Sequence, residues 1–388
     1  MKELASNNSD APARPSGLRA RFVHLNAARG IAAVIVAVDH YCLLFLPDSY
    51  MVPFETPVGQ FFKWTVSSAA AVFFFFTLSA FVLTRKYFGT PDRVLLIQGA
   101  IKRYPRLYLS SAVSIAFAYM VLASGLNYGD AASQISGSGW LDWVHYNKSP
   151  VPLVASAGGA LQETFLVLLL PDRALYNMVL WTMMYEFWGG LFCFLLAALL
   201  VASSRFGIRV VAAVAVVVMA LFWHVIAGLP GSGSAVAVGT AMIVGVFIAY
   251  CDAHEIRLPE ITAWPVIVLG LSLCAGGTVW HYVACGIVVL VGLVTLQSVP
   301  RALQGRGAQW LGDISFPLYL VHVIVIVSLG AWSFVTFHQY GFAPATVHLV
   351  TMAVTIIGVA LATLPFVWLE QWWLKTLNRQ IGTIGQRS

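Results

Sequence analysis

Charge is what this chain has least of. Asp, Glu, Lys and Arg make up 10% of its 388 residues, against about 25% in soluble globular domains. That deficit excludes an ordinary water-soluble fold. Cysteine is also sparse: five residues, scattered and mostly inside apolar runs, with no Cys-x-x-Cys. Neither a disulfide framework nor a metal knuckle is expected from that pattern. The chain has no Gly-rich phosphate loop and no dinucleotide fingerprint. Internal repeats, low-complexity tracts and a Pro/Ser-rich linker to a second domain are absent as well. No small-residue cleavage site follows the first apolar run, so residues 1–21 read as a polar cytoplasmic tail.

What the chain has instead is apolar length. It is 59% hydrophobic and 13% aromatic, and runs of about 20 apolar residues, enough to cross the hydrocarbon core, recur along it. Ten spans are expected, at roughly 27–46, 65–84, 107–125, 177–201, 208–228, 234–251, 262–276, 279–298, 311–333 and 346–369. The fold class is therefore an all-α polytopic membrane helix bundle. With both termini cytoplasmic, all of the 22 Lys and Arg except Lys63, Lys148 and Arg173 fall on the inner side. The basic excess is thus a topology signal and calls for no nucleic acid. A further apolar stretch at 151–170 would invert every later loop if it crossed. Its Gly158–Gly159 pair and Glu163 fit a re-entrant or interfacial helix instead.

Ionisable residues inside these spans are the candidates for chemistry. In "AARGIAAVIVAVDHY" Arg29 and His40 are eleven residues apart. At 100° per residue that is three turns plus about 20°, so they share a face, separated by roughly 16 Å along the axis. Each ionisable group at membrane depth costs roughly 2.5–3.5 kcal/mol on insertion scales, so a functional role is the default. Asp39 adjoins His40 but points about 100° away, towards the bundle.

The remaining candidates are dispersed. "IKRYPRLY" carries Lys102, Arg103 and Arg106 beside a loop that also holds Arg85, Lys86 and Arg93. These residues suit either anionic-lipid contact or the phosphates of a cytosolic cofactor. "FFFFTLSAF" holds Thr77 and Ser79, small polar residues of the kind that allow close helix packing. "LWTMMYEFW" places Tyr185 and Glu186 in the fourth span, and "LGDISFPLYLVH" offers Asp313, Ser315 and His322, with Pro317 as an expected kink. "FVWLEQWW" ends the tenth span with Glu370 and an aromatic belt. "CDAHE" reads as a polar turn without a complete ligand set, so no metal is expected.

Taken in order, these motifs resemble the membrane-bound acyltransferase 3 family, bacterial enzymes that O-acylate sugars and related natural products. The family's Arg, ten residues and His are matched by "RGIAAVIVAVDH", its "FFxLSGF" by "FFFTLSAF", and its "RRxxRIYP" is similar to "IKRYPRLY". "LWTMMYE", "LGDISFPLYLVH" and "FVWLEQWW" follow in the family's order, so the resemblance runs from about residue 22 to 373. Ala80 stands where the family usually has Gly, and "LNAARG" lacks the usual acidic-Gly start. The resemblance implies a single acyltransferase domain over 22–375, with a cytoplasmic tail at 376–388. It implies an integral O-acyltransferase of the bacterial inner membrane that takes acetyl, or another acyl group, from acyl-CoA. The acceptor would be a hydroxyl of an envelope glycan, lipid-linked sugar or glycoside. His40 and Arg29 would be catalytic; Arg29, Lys102, Arg103 and Arg106 would hold the donor. Tyr185, Glu186 and His322 would face the acceptor, with Ser79 and Glu370 as further candidates. The rival reading is a proton-coupled transporter relaying through Asp39, His40 and Glu186. The lack of an inverted repeat and of paired broken helices argues against it.

Overall fold

The computed structural model describes residues 22–47, 66–141, 154–203 and 232–381, together with single residues at 207, 210 and 214. Among these there is no strand. The helices are α1 (Val23–Phe45), α2 (Ser68–Gly89), α3 (Arg93–Ala123), α4 (Gly129–Ser136), α5 (Ala157–Leu166), α6 (Trp181–Ala202) and α7 (Ser232–Ala253). They continue with α8 (Ala263–Leu273), α9 (Val279–Thr295), α10 (Arg306–Asp313), α11 (Ser315–Val325), α12 (Ala331–Gln339) and α13 (Pro344–Ile381). A π turn, Ile326–Gly330, joins α11 to α12.

Among the described residues seven segments are long and apolar enough to cross a membrane: Val23–Phe45, Ser68–Gly89, Arg93–Ala123, Met178–Ala202, Ala235–Ala253, Ser315–Gln339 and Pro344–Ile381. Two shorter apolar segments, Glu260–Gly276 and Val279–Thr295, pack against each other as a pair. Each of the nine expected spans that can be compared falls on one of these; the tenth, at 208–228, lies outside the described residues. The chain is a multi-pass membrane protein. From Leu349 to Trp368 the exposed side of α13 carries Leu349, Met352, Ile356, Leu361, Leu364 and Trp368, apolar residues turned outward as a lipid-facing helix requires.

Three boundaries differ from the sequence reading. The third span begins at Arg93, so the basic "IKRYPRLY" stretch is itself helical and contains Pro105. Asp92 starts that helix early by accepting from Val94 N–H at 2.8 Å. The last span runs on to Ile381, through residues expected to be tail. The ninth begins only at Ser315, and the kink expected from Pro317 is a break between α10 and α11. Pro317 sits in the first turn of α11 and has no N–H for the Asp313 carbonyl, which interrupts the ladder there.

Among the described residues of the 151–170 stretch the helix is the ten-residue α5, about 15 Å long, half of the roughly 30 Å hydrocarbon thickness. Its Glu163 carboxylate accepts from Leu175 and Tyr176 N–H at 3.0 Å each, folding the following segment back onto it.

One cysteine expectation is corrected. Cys274 and Cys285 are paired as a disulfide, with Cα atoms 5.6 Å apart. They close a short hairpin in which Gly277, at φ +74°, turns the chain between α8 and α9.

α2 is the hub, packed against α1, α6, α7 and α9. Ala80, the departure from the family pattern, is fully buried there. Gly245 on α7 makes room for it, since a Cβ at 245 would lie 2.9 Å from the Ala80 Cβ and collide with the Thr77 carbonyl. The small residue missing from α2 is supplied by the facing helix. Gly286 of α9 does the same opposite Phe74, whose backbone nitrogen would be 2.6 Å from a new Cβ.

Candidate active site

His40 and His322 meet across 282 residues of sequence, with His40 Nδ1 and His322 Nε2 2.8 Å apart and the rings nearly parallel. The second nitrogen of His322, Nδ1, lies 3.2 Å from the Leu318 carbonyl one turn back along α11. This arrangement fixes the protons. A carbonyl only accepts, so His322 Nδ1 carries a hydrogen and its Nε2 offers a lone pair. His40 Nδ1 must then be the donor between the rings, and His40 Nε2 is left with the lone pair. His322 is fully buried, while His40 keeps some accessible surface. The pair therefore leaves one imidazole lone pair, at His40 Nε2. Trp140 lies over the His40 ring at 5.2 Å between centroids and 23° between planes.

Arg29 sits on the same helix, nearer its start, where α1 and α10 touch. Gly30 and Gly312 permit the contact, because a Cβ on Gly30 would lie 2.6 Å from Gly312 N. Through this crossing Arg29 Nη2 donates to the Gly312 carbonyl at 2.8 Å and to Asn26 Oδ1 at 2.9 Å. Gly312 borders the break between α10 and α11, and its carbonyl accepts from Ser315 Oγ as well, at 2.7 Å. Asn26 is held from its other end by Asp313, 2.9 Å from its Nδ2. The guanidinium is thus aimed by three residues, while its buried Nε has no partner among the described residues.

Arg106 completes a charged cluster around this point. It is exposed, yet Arg103, Glu370, Arg29 and Glu186 all act on it electrostatically. Those neighbours come from its own helix and from α13, α1 and α6. Glu370 acts on Arg29 as well as on Arg106 and balances part of their charge.

Arg103 is engaged differently. It is buried and ion-paired with the Glu186 carboxylate, and its Nε and Nη2 also donate to the Glu186 carbonyl at 3.0 and 2.7 Å. Ser79 Oγ donates to the same carboxylate at 3.0 Å. Gly190, one turn beyond Glu186, leaves the space, since a Cβ there would stand 3.0 Å from Arg103 Cζ. The structure thus joins in one knot three residues that the sequence distributes between donor, acceptor and packing. Tyr185 points to aromatic neighbours Phe76 and Trp181. Lys102 lies apart from the cluster and donates to Asn378 Oδ1 near the end of α13 at 3.1 Å.

Sequence reasoning missed Trp140, Asn26 and Gly312. Trp140 belongs to a polar stretch without periodicity. Asn26 and Gly312 do sit in the quoted motifs "LNAARG" and "LGDIS", and that recurrence was the signal available. Asp39, beside His40 on α1, is buried. Among the described residues no group of three His, Cys, Asp or Glu could hold a metal ion.

The model of the acyltransferase domain family, Acyl_transf_3, matches residues 22–369, most of the chain. The protein belongs to that family and is a membrane acyltransferase. Comparison with curated proteins and with solved structures gave no match.

Proposed function

We propose that this acyltransferase moves an acyl group, acetyl in the simplest case, from cytosolic acyl-CoA to a hydroxyl. The acceptor is a cell-envelope glycan, lipid-linked sugar or small glycoside, and the enzyme resides in the bacterial inner membrane with both termini cytoplasmic. The observation that carries this reading is the His40–His322 pair, which leaves one oriented lone pair at His40 Nε2.

In the reaction the acceptor oxygen attacks the thioester carbonyl while His40 Nε2 takes the hydroxyl proton. The C–S bond then breaks, and the departing thiolate receives that proton from the imidazolium. His322 stays neutral throughout; its Nε2 accepts from His40 Nδ1–H and holds the charged ring while the charge lasts. Direct transfer is the simplest course, since no serine triad accompanies the pair.

Arg29 and Arg106 take the donor's phosphates, with Lys102 at the approach. The 16 Å or so between Arg29 and His40 along α1 suits a pantetheine-length arm, which leaves the phosphates at the mouth and brings the thioester to His40. Glu370 keeps the two arginines from repelling each other before the donor arrives. Arg103, tied to Glu186 and Ser79, supports the wall beside Arg106, and Tyr185 lines the approach of the acceptor.

The test is purified protein in nanodiscs with acetyl-CoA, alone and with envelope glycan from a deletion strain. Acetyl transfer to the glycan, read by mass spectrometry and dependent on the protein, is the expected result. Absence of acetyl transfer to the glycan, with the protein folded and acetyl-CoA present, would overturn the proposed donor and acceptor.

A further inference from the structure

Residues 128–141 lie across the ends of both histidine-bearing helices. Tyr128 N–H donates to the Val327 carbonyl in the π turn at 2.9 Å. Ser136 and Ser138 hydroxyls donate to the Leu44 and Leu43 carbonyls at 2.7 and 2.6 Å. Those two carbonyls belong to the last turn of α1, where a helix leaves acceptors unpaired. Gly137, at φ +75°, turns the chain between the two serines. Trp140 N–H then donates to Ser138 Oγ at 3.2 Å, which sets the backbone that carries the indole. The strap is bonded at one end to the helix of His40 and at the other to the π turn that follows the helix of His322. A π turn of this kind is a frequent companion of functional sites.

The outcome is that Trp140, itself buried, covers one face of the His40 ring. His322 occupies the Nδ1 edge. Neither group takes the edge bearing Nε2. A bare general base beside a thioester would activate water as readily as a sugar hydroxyl, and a transferase has to prevent that.

We propose that Trp140 is a specificity-determining residue: its ring, carried on a backbone that Ser136 and Ser138 tie to the end of α1, seals His40 against water so that only a bound acceptor hydroxyl is deprotonated. This rests on the acyl-transfer reading above. With the seal gone, a water oxygen attacks the thioester carbonyl and His40 Nε2 takes one of its protons. The C–S bond breaks, the thiolate leaves with that proton, and the products are free carboxylic acid and CoA thiol. No oxidant or reductant enters.

The experiment measures CoA thiol release from acetyl-CoA in nanodiscs without acceptor, with acetyl-CoA binding followed in parallel. Trp140→Ala should release thiol several-fold faster than wild type while binding the donor equally well. Trp140→Phe should return release to the wild-type level, and the double variant Ser136→Ala/Ser138→Ala should raise it with the indole intact. Adding His40→Ala to Trp140→Ala should bring release back to background. If Trp140→Ala does not fold, the serine double variant carries the same test. Normal donor binding with unchanged thiol release overturns the seal alone, as does fast release that survives His40→Ala. Failure of the wild type to bind acetyl-CoA overturns both the seal and the donor assignment.

Discussion

Replacing His322 by leucine removes the acceptor for His40 Nδ1–H without introducing a charge. In the native arrangement that hydrogen points at His322 Nε2, 2.8 Å away, and His322 is itself fixed by the Leu318 carbonyl at 3.2 Å. Without the partner, the tautomer with hydrogen on Nδ1 leaves a buried donor unpaired, which costs about 1–3 kcal/mol. The ring then does better to place its hydrogen on Nε2, the nitrogen that must be free to accept a proton. At 1.36 kcal/mol per decade the competent tautomer falls by roughly five- to 150-fold, and kcat falls with it. The KM for the acyl donor should hold, since Arg29 and Arg106 are untouched. Glutamine at 322 can place its carbonyl oxygen where Nε2 was, so His322→Gln should keep most of the activity. The assay is steady-state acyl transfer in nanodiscs at saturating donor, with size-exclusion profiles confirming that each variant folds. Wild-type kcat in His322→Leu would refute the tautomer argument. So would equal losses in the leucine and glutamine variants, because a mere packing defect predicts those.

Other outcomes follow from the same geometry. Arg103→Ala strands the Glu186 carboxylate in the bundle and should cost about 3–5 kcal/mol by thermal unfolding in detergent, with the double variant Arg103→Met/Glu186→Met recovering much of that loss. Gly30→Ala pushes a Cβ to 2.6 Å from Gly312 N; it should lower stability by about 1–3 kcal/mol and raise the donor KM as Arg29 loses its aim. Gly139→Ala, with nothing within 4 Å of the new Cβ, should leave the melting temperature unchanged. In protein unfolded without reductant, maleimide should label Cys42, Cys193 and Cys251, and reach Cys274 and Cys285 only after reduction.

The membrane spans were legible because the bilayer imposes them: an apolar run of about 20 residues has few other uses. α1, α2, α6 and α7 appear close to where hydropathy put them. The start of α3 and the end of α13 were not, since hydropathy marks the hydrocarbon boundary while a helix continues into water as long as its residues and caps allow. Asp92 begins α3 fourteen residues before the apolar run, and α13 continues past Trp373 to Ile381. Within the site, the common face of Arg29 and His40 was readable because both lie on one helix, where the angle per residue is known. The contact of His40 with His322 was not, because it spans 282 positions, and no local periodicity relates α1 to α11. For the same reason Arg103 and Glu186 were assigned to different substrates, although each lies in a recognisable motif. Trp140 gave no signal at all: its position depends on serine hydroxyls reaching the open end of α1, a contact between a loop and a helix terminus. The Cys274–Cys285 pair was hidden because a spacing of eleven matches no motif. It becomes meaningful only once Gly276 and Gly277 turn two short helices against each other.

The central claim is that His40 Nε2 is the base for acyl transfer from a donor held below it by arginines. The most direct measurement compares wild type and His40→Ala in matched nanodiscs, following acetyl-CoA binding and acetyl transfer in the same samples. Binding should be unchanged, and transfer should fall by roughly 10²–10⁴-fold, the usual cost of a missing general base. Near-normal transfer by His40→Ala, with the donor bound, would contradict the account.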